Sequence, residues 1–228
     1  WQTIGKTLKK FAPGHLITFH PFGRTQSSTW FHDEPWLDFN MFQSGHRRYN
    51  QDTARNDTRY GEDNWRYVQA DYGKKPVKPT LDGEPSYEGI PQGLHDTLQP
   101  RWNDNDLRRY AYWSVFSGAC GFTYGNNSVM QFYKPDGKPG AYGASQSWDQ
   151  AINSPGAAQM DYLKNLMLKY QFTNLVPDQS LLANQDERYN YQVALCGEKH
   201  LMVYSYNGRS ISLNQEKGLT TIVVTHNL

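Results

Sequence analysis

The run Leu81-Asp82-Gly83-Glu84-Pro85-Ser86-Tyr87-Glu88 is where this sequence comes closest to chemistry. A β-prone stretch ends in a carboxylate locked between glycine and proline, a rigid way to aim Glu84 into a pocket. Breaking a glycosidic bond takes two carboxyl groups flanking it, one ionised and one protonated. Glu84 suits the ionised nucleophile, with Tyr87 placed to hold it by a hydrogen bond. Gly-Glu-Pro is also ordinary turn chemistry, so the motif alone leaves a plain surface loop open. A second polar stretch runs from His20 to His32 and carries Arg24, several hydroxyls and aromatic rings. Such a loop can grip sugar hydroxyls and stack on a sugar face; a solvated loop has the same composition. A third set, Asp38, Asn40, Gln43 and His46, lies where the pattern predicts burial. Buried polar groups need partners, so these bond one another or face a ligand.

Other chemistries have weaker support. Neither His-Glu-x-x-His nor Cys-x-x-Cys occurs, and the seven histidines are scattered. A metal-dependent hydrolase would have to draw on His20 and His46. Phosphate-cradling and dinucleotide-binding glycine patterns are missing, and Gly143-Ala144-Ser145-Gln146-Ser147 lacks the last glycine of a nucleophile elbow. Lys134 to Lys138 reads as an exposed turn. Lys plus Arg number 23 against 22 Asp plus Glu, which argues against a nucleic-acid surface. A mean hydropathy of −0.81 leaves no run for a membrane span. Aromatic residues make up 14% of the chain, so disorder is excluded. Asn and Gln number 16 each, and aromatics with planar amides suit the handling of sugars. Cys120 and Cys196 are expected to be unpaired, mostly buried thiols.

The elements that position these residues alternate. Helical spacing over 1–11 ends at Ala12-Pro13-Gly14. Strands are expected at Leu16–His20, Leu37–Gln43, Lys78–Glu84 and Cys120–Tyr124. Helices are expected at 61–72, at 104–117, and from Pro155 with Ser154 as N-cap. After about residue 180 the helical period vanishes. Short strands at Tyr191–Leu195, His200–Tyr206, Ile211–Leu213 and Thr220–Val224 follow, with Asn207-Gly208 as a hairpin turn. The chain thus divides into 1–180 and a small β-sandwich-like unit, 181–228. Strands alternating with helices imply an α/β fold with a parallel sheet. His20, Asn40, Gln43, Glu84 and Tyr124 fall at or just after the ends of four successive strands. That is where a (β/α)8 TIM barrel places its catalytic groups, so His20, Asn40, Glu84 and Tyr124 are expected to line one concave face. A whole barrel needs about 250 residues and eight strands; four are visible, which reads as barrel strands 5–8.

Together these segments resemble the apiosidase-like glycoside hydrolases. The resemblance is carried by Pro13–Pro21, Ser27–His32, Trp36–His46, Lys78–Glu88, Arg109–Gly125 and Ser154–Met160. It implies a bacterial TIM-barrel enzyme with a C-terminal β domain and a retaining mechanism whose nucleophile, after the seventh barrel strand, lands on Glu84. The family's general acid/base follows the fourth strand and would lie upstream of Trp1, on the missing N-terminal half of the barrel. The last ten residues depart from the family's β-sandwich. The resemblance further implies an oligo- or polysaccharide substrate of plant type, with apiose the released sugar, no cofactor, and a periplasmic or extracellular location. Asp82, Asn40, His20, Arg24, Gln43, His46, Glu88 and Tyr124 are the expected substrate-binding residues. A non-catalytic carbohydrate-binding or scaffold protein on the same barrel is the alternative.

Overall fold

The structure is a computed structural model that describes residues 1–52 and 60–214, and the backbone of 221–226. Helix α1, Gln2–Phe11, opens the chain and presses onto the Trp36 indole. A Cβ at Gly5 would stand 2.3 Å from that ring, so only glycine permits the approach. The Leu16–His20 run does not form the expected strand. The Asp38 carboxylate takes the Ile17 N–H at 2.7 Å, and the Ile17 carbonyl takes the Asp38 N–H at 2.9 Å. A side chain has replaced the backbone acceptor a ladder would need.

A four-stranded sheet follows, in the order β1 (Thr25–Gln26), β2 (Asn40–Gln43), β3 (Thr80–Asp82), β4 (Gly121–Phe122). Strands β2, β3 and β4 are parallel, while β1 pairs antiparallel with β2, a strand the sequence pattern does not signal. The helices on this sheet agree with the expected ones within a few residues. Helix α2 is the single turn Ser28–Phe31 and α3 spans Asn64–Tyr72. Helix α4, Asp104–Phe116, starts with a reciprocal cap between Asn103 and Asp106, which satisfies two orphan N–H groups. After the short turns α5 (Asn127–Met130) and α6 (Trp148–Ala151) comes α7, Pro155–Lys169. Proline stands at its first turn as expected, but the Ser154 side chain does not cap it. Its hydroxyl instead accepts from Asn126, and Glu88 takes the Gly156 N–H at 3.1 Å.

The second sheet runs β5 (Val176–Pro177), β6 (Gln192–Cys196), β7 (His200–Ser205), β8 (Thr221–His226). The β6–β7 pair is antiparallel, and β8 lies parallel to β7. Asn207-Gly208 therefore does not close a hairpin; the tight connection is at Gly197–Lys199. Ile211–Leu213 forms no strand, only a bridge from Leu213 to Leu182. Thr220 lies outside the described residues. This sheet packs on α3, α4 and α7 through rings: Trp65 stacks on Tyr191 at 3.8 Å and Tyr112 on Tyr204 at 4.5 Å. Both cysteines are free, as expected, but Cys120 is exposed, because it leads into β4, which has a neighbour on one side alone. No helix among the described residues is long and apolar enough to cross a membrane.

Candidate active site

Glu84 stands two residues beyond the end of β3, and its placement begins in the backbone. The β3 ladder with β2 continues past the strand ends: Gly83 N–H donates to the Phe42 carbonyl at 3.0 Å and Gly45 N–H to the Glu84 carbonyl at 3.3 Å. The Ser86 hydroxyl closes the same seam on the Gly45 carbonyl at 2.8 Å. Zipped together, the two strand ends bring residues about forty positions apart onto one carboxylate. Gln43 donates from Nε2 to Glu84 Oε1 at 2.6 Å. His46 Nε2 lies 3.3 Å from the same oxygen, and His20 Nε2 lies 3.2 Å from Oε2. The His46 Nδ1 is buried without a partner among the described residues, which leaves Nε2 as the nitrogen that faces a partner. On His20, Nδ1 faces the Pro21 carbonyl at 2.9 Å.

The expected Tyr87 hydrogen bond to Glu84 is absent among the described bonds. The Tyr87 ring stands edge-on to His46 at 5.2 Å and walls the imidazole in. Its hydroxyl is pushed up to about 12 by burial, then by the charges of Glu84 and Asp82. A cleft of about 230 Å³ opens beside Gln43 and His46, rimmed by Arg24, Arg47, Leu94 and His95. Arg47 and His95 carry no motif of their own in the sequence; Arg47 adjoins His46, the signal that could have found it. The Arg24 guanidinium pairs with Asp52.

The other expected site residues fall elsewhere. Asn40 is fully buried and its amide meets the His32 ring at 3.2 Å. It faces a partner within the protein, the first of the two options open to it. Tyr124 donates its hydroxyl to Glu88 Oε2, the oxygen that caps α7. Burial raises the Glu88 carboxyl above its ordinary range, and the tyrosine hydroxyl and helix N–H partly offset this. Of the four residues expected on one concave face, His20 and Glu84 meet, whereas Asn40 and Tyr124 belong to separate hydrogen-bonded pairs. Among the described residues no group of three His, Cys, Asp or Glu side chains is arranged to hold a metal ion.

Asp82 lies beneath Glu84, fully buried, and accepts from Asn64 at 3.0 Å, Ser114 at 2.9 Å and Ser44 at 3.4 Å. Burial pushes its carboxyl up to about 7 against these three donors. The folded chain then holds this proton more tightly than the unfolded chain, whose carboxyl titrates near its ordinary 3.8. The resulting stability is full below about pH 4 and is lost as the pH rises towards 7. Asp82→Asn removes the ionisation with little change in volume. Its melting temperature is therefore expected to fall several degrees less between pH 5 and pH 8 than the wild type's. Scanning calorimetry across that range checks this, and parallel curves would refute it.

A carboxylate at a parallel-strand end, met by the Gln43 amide and the His46 imidazole, which themselves line an open cleft, is an arrangement for placing negative charge against a reacting carbon. Comparisons with known proteins point to glycoside hydrolases. A family model described as apiosidase-like, catalytic domain, matches residues 1–174, and one described as a putative collagen-binding domain of a collagenase matches residues 176–223. Among solved structures, one titled glycoside hydrolase is 53% identical at a TM-score of 0.89, covering 94% of this chain and 49% of its own. A glycoside hydrolase family 5 protein from Bacteroides vulgatus ATCC 8482 is 50% identical at a TM-score of 0.89, covering 94% of this chain and 47% of its own. The chain thus spans about half the length of the solved proteins it resembles. A search of the curated proteins finds no match. With its first three quarters matched by one family model, the chain belongs to the apiosidase-like family of glycoside hydrolases.

Proposed function

We propose that this chain carries the nucleophile side of a retaining glycoside hydrolase, with Glu84 the attacking carboxylate. The observation that carries the reading is the trio of Gln43, His46 and His20 converging on Glu84. Gln43 and His46 meet one carboxylate oxygen, and His20 stands 3.2 Å from the other. They aim the carboxylate, so that negative charge waits where an oxocarbenium-like transition state develops positive charge. Glu84 then bonds to the anomeric carbon, and water releases the sugar. The leaving oxygen needs a proton from a second carboxyl group, about 5–5.5 Å from the first in a retaining enzyme.

We assign the general acid to another segment of a (β/α)8 barrel of which β2, β3 and β4 form part. Relatives twice as long support this, as does an apolar groove of about 380 Å³ along the open side of β4, walled by Phe122, Met160, Leu163 and Met167. The substrate is a plant-type polysaccharide side chain with apiose the released sugar, met in the periplasm or outside the cell; family membership supports these assignments. The deciding experiment follows the first-formed product by NMR with the full natural polypeptide on an aryl glycoside. Retention of anomeric configuration is expected, and inversion would refute the Glu84 role.

A further inference from the structure

The loop that leaves β2 does two things. Its beginning offers Gln43 and His46 to Glu84, and its continuation runs against the small β unit. Tyr189, in the segment that leads into β6, rests its hydroxyl on both oxygens of the buried Glu62, at 2.9 and 3.0 Å. Glu62 Oε1 also accepts the backbone N–H of Tyr49 at 3.0 Å. The Tyr189 ring stands edge-on to Tyr49 at 5.3 Å. Arg48 donates to the Tyr189 hydroxyl at 3.4 Å and lies over the Trp102 ring, 5.4 Å from its centroid. The Trp102 indole donates in turn to the His46 carbonyl at 3.3 Å. Backbone on both sides of Arg47 is thus tied, through side chains, to a residue of the second sheet's unit.

We propose that the small β unit is a positioning element of the active site: Tyr189, seated on Glu62, fixes the loop 46–49 and with it the imidazole that His46 presents to Glu84. This rests on the reading of Glu84 as the attacking carboxylate. Tyr189 is a positioning residue, since its described partners are Glu62, Arg48, Arg109 and neighbouring rings rather than Glu84. A loop that carries a reacting group needs such support, because supporting contacts must hold it within about 0.5 Å of the productive geometry. Misplacement by about 1 Å can cost about 10²-fold in rate.

Tyr189→Phe in the full natural polypeptide keeps the ring on Tyr49 and deletes the hydroxyl. It is expected to lower kcat about tenfold while KM changes less than about twofold, because the loop serves the reacting carboxylate more than substrate binding. The His46 ring resonances are expected to move in NMR spectra recorded without substrate, while those of the exposed His15 stay. Arg48→Gln, which cuts the second tie, is expected to act in the same direction. Tyr162→Phe, on the exposed side of α7, leaves both readouts unchanged. Tyr189→Phe with His46 resonances unmoved would overturn the proposal, even if the variant melted at a lower temperature. A wild-type protein without glycosidase turnover would refute the functional reading alone, since the histidine spectra report loop position without any substrate.

Discussion

Glu84→Gln in the full natural polypeptide is expected to lower kcat by at least about 10⁴-fold, the scale on which losing a nucleophile is felt. The amide has nearly the carboxylate's volume and keeps an oxygen to accept from Gln43, so the thermal unfolding midpoint should stay close to the wild type's. What disappears is the charge that stabilises the oxocarbenium-like state and the lone pair that bonds to the anomeric carbon. Intact-mass measurement after exposure to a slow-turnover activated glycoside should show a glycosyl adduct on the wild type and none on the variant. Turnover near the wild-type rate, or an adduct that persists in Glu84→Gln, would move the nucleophile to another residue.

The largest effect on stability is expected at Arg109. Its guanidinium is fully buried, bonds Glu62 at 2.7 Å and lies within reach of four rings, those of Tyr110, Trp113, Tyr189 and Tyr206. Burial alone would weaken its hold on the proton, yet the Glu62 carboxylate keeps it charged well above the ordinary range. Two of its nitrogens, Nε and Nη1, have no hydrogen-bond partner among the described residues, so the ring faces supply part of what water would have given. Arg109→Met fills similar space but strands the Glu62 charge in the interior. Breaking a buried pair in this way costs about 3–5 kcal/mol. At roughly 2–4 °C per kcal/mol for a chain of this size, the midpoint should fall by roughly 6–20 °C. Adding Glu62→Gln to Arg109→Met should recover much of the loss, because the uncompensated charge goes with it. A double variant as unstable as the sum of the singles would show that the two residues do not act as a pair.

The local sequence already determined the alternation of strand and helix, the start of α4 and α7, and the helix-free tail. Proline at a first turn and the apolar spacing are read within one or two turns of chain. It also brought Glu84, Gln43, His46 and His20 to notice, because polar residues that close apolar or alternating runs stand out, even though the run before His20 forms no strand. The remaining polar residues carried the same local signal and different roles. Asn40 answers to His32, Asp82 to Asn64 and Ser114, and Glu88 to an N–H 68 positions away. Glu62 and Tyr189, 127 positions apart, left no trace in either neighbourhood. Arg109 could have been noticed, since Tyr110, Tyr112 and Trp113 follow it within one turn of its helix. Whether a buried polar group binds a ligand or its own protein depends on what the closed chain sets opposite it. Periodicity reports the face a residue lies on, and only tertiary closure decides what lies across from that face.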